Sequence, residues 1–271
     1  MDSALLEIPF EPAVVAKADT SSLKSSLLKQ VEAKDTEPMG KKVRFANETL
    51  MPLFDELEKR NPTPELEQQI SLLKGVWFPV WSTNPFQDIL PGRVHHESYQ
   101  IFDDNGYYAN LARYKPGQKS PILSWFSRWL LSYDLMIMQS YSVQTQAAKE
   151  SDGESAGEAA DLLEPNQTNQ DYWNIQNVSI QQALRFGSIA FSAETAQAWF
   201  NKAVAKQKSP QLRSPAAPPT QQNRIAAKQY QQISKARPRL DNLYIDQEFR
   251  LVKTQREKSQ RPSYTVAVRL G

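Results

Sequence analysis

The sequence predicts a mainly β chain, folded as an antiparallel barrel or sandwich behind a helical N-terminal arm. Two observations carry this prediction. Before residue 61, apolar residues recur at spacings of three and four, the signature of one helix face. From residue 75 the period changes to short β-type runs divided by turn signals, the pattern of an antiparallel sheet that closes or stacks. With 271 residues, the chain has room for one large domain with insertions or two small ones.

The elements follow in order. Residues 1–20 carry Asp2, Glu7, Glu11 and Asp19 with no basic stretch leading an apolar one, so they read as a flexible N-terminus and not as a leader peptide. Residues 21–64 form the arm. Leu23, Leu27, Leu28 and Val31 mark one helix face, and Val43, Ala46, Leu50, Leu53, Phe54 and Leu57 a second. Pro52 lies inside the second pattern and predicts a kink or break, because it has no N–H to donate. Asn61-Pro62-Thr63-Pro64 ends the arm, each proline disfavouring helix at the residue before it. The barrel occupies residues 65–271.

Its first strand is Trp77 to Ser82, wholly apolar up to its final serine and read as buried on both sides. Arg93 to Phe102 and Tyr107 to Tyr114 flank Asp104-Asn105-Gly106, whose Asn-Gly pair suits the positive φ angles of a tight hairpin. Tyr133 to Gln144, Tyr172 to Gln181 and Ala183 to Phe191 continue the β pattern, and Glu248 to Thr254 with Tyr264 to Leu270 make a last hairpin. Residues 192–208 read as a helix capped by Ser192, with Ala196, Trp199, Phe200, Ala203 and Val204 on one stripe. Two low-complexity inserts interrupt the barrel: an acidic one at 146–170 and a Pro- and Gln-rich one at 209–223.

The chemistry-bearing residues are few. There is no cysteine, so disulfides and thiolate metal sites are excluded. His95-His96-Glu97 invites a metal reading, but adjacent strand residues point to opposite faces and cannot easily share an ion. No phosphate loop, nucleophile elbow or zinc-helix motif is present, and the expectation is a chain that is not an enzyme and uses no cofactor or metal. A net charge of +2 names no partner. Residues 201–240 are basic with no acid, but only Tyr230 interleaves, so nucleic acid is not expected as a partner.

Two apolar clusters remain. Trp77 and Trp81, with Tyr99 and Phe102 on the following strand, are candidates to line a ligand pocket; the plainer alternative is core packing. In PILSWFSRWLLSY (121–133), Trp125, Phe126 and Trp129 would share a broad helical face. Lys115, Lys119 and Arg128 lie nearby, and residues 105–133 contain no acid. That combination suits contact with an anionic membrane surface; the alternative is a helix packed into the barrel as a plug or cap.

The ordered set NPTP (61–64), LLKGVWFPVWST (72–83) and LYIDQEFRLVK (243–253) resembles the plastid lipid-associated protein family, also called fibrillins or plastoglobulins. In this resemblance Gly75, Tyr244, Asp246 and Arg250 are motif residues, and Gly75-Val76-Trp77 is similar to the Gly-x-Trp of lipocalins. The resemblance implies a lipocalin-like antiparallel barrel, with Trp77 plugging the closed end and Arg269 or Arg250 stacked over it. It further implies a peripheral protein of thylakoids or lipid bodies, on the cytoplasmic side in a cyanobacterium or within a plastid. Such a protein would bind or organise prenylquinones, carotenoids or other apolar lipids. The rival expectation is an adaptor that coats lipid or scaffolds a prenylquinone-synthesis enzyme without a ligand of its own.

Overall fold

The computed structural model describes residues 11–85, 92–115, 132–144, 172–186, 189–208, 239–255 and 260–271. Eight antiparallel strands follow one another around a ring: β1 (Gly75–Ser82), β2 (Arg93–Phe102), β3 (Tyr107–Tyr114), β4 (Ser132–Gln144), β5 (Tyr172–Arg185), β6 (Arg239–Ile245), β7 (Phe249–Gln255) and β8 (Ser263–Leu270). β8 returns to β1, with Val76 opposite Leu270 and Ser82 opposite Thr265, so the ring is closed. The ladders are uneven. β4 and β5 pair along thirteen positions, but β1 and β2 join through three and β5 and β6 through only two. The barrel is therefore tight at the Gly75 end and splayed at the other.

Among the described residues, six α-helices accompany it: α1 (Pro12–Val15), α2 (Thr20–Val31), α3 (Met39–Phe45), α4 (Met51–Lys59), α5 (Leu66–Leu73) and α6 (Ala193–Lys208). The arm packs on the outside of β1 and β6–β8. Leu23, Leu27, Leu50, Leu53, Phe54 and Leu57 are buried against Leu243, Phe249, Leu251, Tyr264 and Val266. Around Pro52 the expected disturbance is a π turn over Ala46–Leu50 that joins α3 to α4. Pro52 offers no N–H, and the ladder loosens just ahead of it without breaking the helix. The docked region also starts earlier than expected: Val15 is buried, and Arg60 donates to the carbonyls of Ala16 and Ala18.

Asp35 ties the arm to the splayed end. Its carboxylate pairs with Arg93 at 2.6 Å, accepts from His95 Nδ1 at 2.5 Å and from the Ser82 amide, and lies 3.6 Å from Lys42. Burial alone would raise this carboxyl. The His95 hydrogen bond and the charges of Arg93 and Lys42 outweigh it and hold the group below its ordinary range. A carboxyl lowered on folding adds stability that is fully present above its unfolded value, about 3.9, and is lost as pH falls through the folded value. Arm docking is thus expected to weaken below about pH 4. Fluorescence of Trp81, which lies under the arm, reports it, and Asp35→Asn should flatten the acid limb of the titration.

Three local readings differ from the sequence pattern. At the β2–β3 turn, among the described non-glycine residues only Ala33 has positive φ; Gly106 (φ +76°) therefore makes the turn without Asn105. Asp103 Oδ1 instead caps a wider loop by accepting the amides of Asn105 and Tyr107. The two strands expected over 172–191 are one, ending at Arg185, with an extra residue at Val178. Phe191 lies beyond it, its ring against Tyr99 and Trp199 at the start of α6. Ser192 caps α6 through the Thr195 amide, and Ala196, Phe200, Ala203 and Val204 are buried on the outer wall of β2–β4.

Candidate ligand-binding site

The floor of the barrel is built first. Gly75 enters β1 at φ +122°, where a Cβ would lie 2.8 Å from Arg269 Nη1, so glycine fits and a side chain does not. Trp77 follows on the inner face, fully buried, with Nε1 donating to the Leu73 carbonyl at 2.8 Å. Both expected arginines cover it: the Arg269 guanidinium lies 4.3 Å from its ring and that of Arg250 5.4 Å. Arg269 also donates to the carbonyls of Leu72, Lys74 and Gln247, closing the end from outside.

α5 plugs the same end. Leu73 is buried with Trp77, Trp173 and Ile245, and Leu66, Ile70 and Leu72 pack beside them. Gln69 fixes the plug, donating to the Thr63 carbonyl and accepting from Trp173 Nε1 and Asn242 Nδ2. Asn61 ties Asn-Pro-Thr-Pro to β6 by accepting the Ile245 amide. The motif pair Tyr244 and Asp246 shapes the β6–β7 turn: Asp246 accepts from the amides of Glu248 and Phe249, from the Tyr244 hydroxyl and from Lys24.

Above this floor the barrel holds a cavity of about 350 Å³. Asn84, Pro85, Gln260 and Arg261 stand at its mouth. Deeper, Tyr108, Tyr114, Leu135, Ile137, Leu240 and Val252 give it apolar wall, and Ser98, Gln100, Asn110, Gln139 and Asn177 give it polar wall. Arg250 lies at the bottom, stacked 4.7 Å from Phe102.

With Arg250, the four amides of the polar wall form one oriented chain. Arg250 Nη2 donates to Gln100 Oε1 at 2.7 Å and Gln100 Nε2 to Asn110 Oδ1 at 3.1 Å. Asn110 Nδ2 then donates to Gln139 Oε1 at 3.2 Å, and Gln139 Nε2 to Asn177 Oδ1 at 2.7 Å. A guanidinium can only donate, so it fixes the orientation of Gln100, and each amide then fixes the next. Burial draws Arg250 down to about 9, which leaves it protonated at neutral pH. Burial likewise pushes the Tyr108 hydroxyl up, and the group stays neutral.

Of the four expected pocket residues, Trp77 and Phe102 lie inside the barrel, at and beside the floor. Trp81 does not. β1 bulges between Pro79, opposite Ala267, and Trp81, opposite Val266, so one extra residue turns Trp81 to the outer face. There it packs under the arm, edge-on to Phe45 at 6.5 Å. Tyr99 contributes to the cavity lining, but its ring packs against Phe191 and its hydroxyl donates to the Phe191 carbonyl under α6. His95 joins the Asp35 cluster, His96 is exposed, and Glu97 accepts the Phe191 amide. Lys115 stands 3.9 Å from Glu97. Lys119, Trp125, Phe126, Arg128 and Trp129 lie outside the described residues. The amide chain and Gln69 were not anticipated; the only signal for them is polar residues standing singly within strand or helix patterns.

No family model, curated protein or solved structure matches this chain.

Proposed function

We propose that the chain binds one apolar or amphipathic small molecule inside a lipocalin-like barrel and does so at a lipid surface. The observation that carries this reading is the cavity above a floor sealed by Trp77, Arg269 and α5. Its volume lies at the lower end for small-molecule sites, and its mix of apolar wall and a few placed polar groups is typical of them. An interior filled by side chains would have favoured the adaptor role; the cavity favours carriage. The resemblance to plastid lipid-associated proteins makes prenylquinones and carotenoids the first ligands to test, at thylakoids or lipid bodies. At roughly 30 Å³ per water-sized group the cavity encloses on the order of a dozen such groups. A long prenyl tail would therefore leave through the mouth.

A lipid-facing rim is supported by Leu184, Phe186 and Ile189, all strongly exposed at the splayed end. Tyr114 and Ser132, which bracket Trp125 and Trp129 in the sequence, stand at the same end. No helix among the described residues is long and apolar enough to cross a membrane, and the reading is of a peripheral contact.

A short-tailed plastoquinone is expected to quench tryptophan fluorescence saturably at one site, since Trp77 and Trp173 lie in the inner core. Absence of saturable binding across several quinones and carotenoids would favour the adaptor. Phe186→Ser combined with Ile189→Ser is expected to reduce flotation with anionic liposomes and leave quinone binding intact. Equal flotation would assign membrane contact elsewhere.

A further inference from the structure

Arg250 is a buried cation without a counter-ion. It is 1% exposed, and among the described residues no carboxylate pairs with it. Its Nη2 bonds Gln100, but Nε and Nη1 donate to nothing. Stacking on Phe102 and Trp77 offsets part of this, yet removing a charge from water without an opposite charge is among the costlier arrangements a fold can hold. The closing of the barrel does not explain it, because Arg269 already seals the floor from outside through three carbonyls. The amide chain adds direction. Its oxygens are turned back along the chain toward Arg250, so its amide N–H groups and the guanidinium together make this wall rich in donors.

We infer that the ligand's buried head is a carboxylate, held on the cavity floor by Arg250 and the adjoining amides, with an aliphatic chain rising past Leu135, Ile137 and Val252 to the mouth. This rests on the carrier reading and narrows its ligand to acidic amphiphiles. A carboxylate supplies the missing charge and only accepts, which complements a wall of donors. A neutral quinone or alcohol would leave the guanidinium as unbalanced as it is now.

The test compares laurate with 1-dodecanol, equal in chain length, on the full chain by titration calorimetry. Wild type should bind laurate at one site, at least about tenfold more tightly than dodecanol, the low end for a hydrogen bond to a charged group. Arg250→Gln should remove that preference, so that laurate and dodecanol bind the variant with similar affinity. Bound carboxyl-¹³C laurate should keep the chemical shift of the ionised form at pH values where free laurate is protonated. Dodecanol binding as tightly as laurate would overturn the carboxylate head while the carrier reading stands. Failure of both probes, together with the quinones and carotenoids, to bind saturably would overturn both. Should Arg250→Gln not fold, the wild-type comparison and the ¹³C titration decide the matter.

Discussion

Trp77→Ala is expected to lower unfolding stability by about 3–5 kcal/mol, the range for emptying a large aromatic site in a packed interior. Trp77 is fully buried and gives its indole N–H to Leu73. Its ring also carries both guanidinium groups, Arg269 at 4.3 Å and Arg250 at 5.4 Å. Alanine creates a void, leaves the Leu73 carbonyl without its donor and removes the cation–π surface from both arginines. Losses should appear as a lower urea midpoint at unchanged slope. A change under 1 kcal/mol would mean that the floor is not packed as described. Trp77→Phe separates the contributions: the ring stays, the N–H goes, and the loss should fall to about 1–3 kcal/mol, the range for an unsatisfied buried acceptor.

Asp134→Ala should rank beside it. Asp134 is fully buried and opposite Arg113 on the neighbouring strand, with contacts at 2.7 Å to Nε and 3.1 Å to Nη2. Breaking a buried pair by removing one partner typically costs about 3–5 kcal/mol. Glu97, 3.1 Å from Arg113 Nη1, still balances part of the charge, so the low end is expected. The same arginine bonds the Ile189 carbonyl and lies over Phe191, so the segment leading into α6 should loosen as well. Hydrogen exchange of the Phe191 amide, now held by Glu97, would report it. Arg113→Met in the same chain should recover part of the loss, because two charges are removed together; simple additivity would argue against the coupling.

The parts of this fold that were readable are those where one local rule suffices. β2 and β3 are two β-type runs with a turn signal between them, and α6 combines a serine cap with an apolar stripe. The parts that were not depend on contacts across the chain. α5 has only eight residues, and its fixing residue, Gln69, reads as ordinary helix surface until Trp173 and Asn242 meet it. β6 carries Asp241 and Asn242 at its centre, and no periodicity marks it as a strand. Trp77 and Trp81 are an even number of residues apart, which puts both on one face of a regular strand. The bulge that separates them has no sequence signature beyond Pro79. The site was least legible of all. Gln100, Asn110, Gln139 and Asn177 are each the sort of residue expected on a solvated strand face. Only the register of four strands reveals that they share the inside of one.

The closure of β8 onto β1 has a consequence for how the protein is made. Val76 and Leu270 pair across about 190 residues, so non-local contacts dominate and ring closure is slow. At typical rates of synthesis, roughly 10–40 s separate the emergence of the two strands from the ribosome. The arm emerges before either, yet the surface that buries Leu27, Leu53 and Phe54 is supplied largely by Leu251, Tyr264 and Val266. For that interval the nascent chain presents an amphipathic helical segment with nothing to pack against. Anything able to shelter such a face, a chaperone or a bilayer, would meet this protein before its barrel exists.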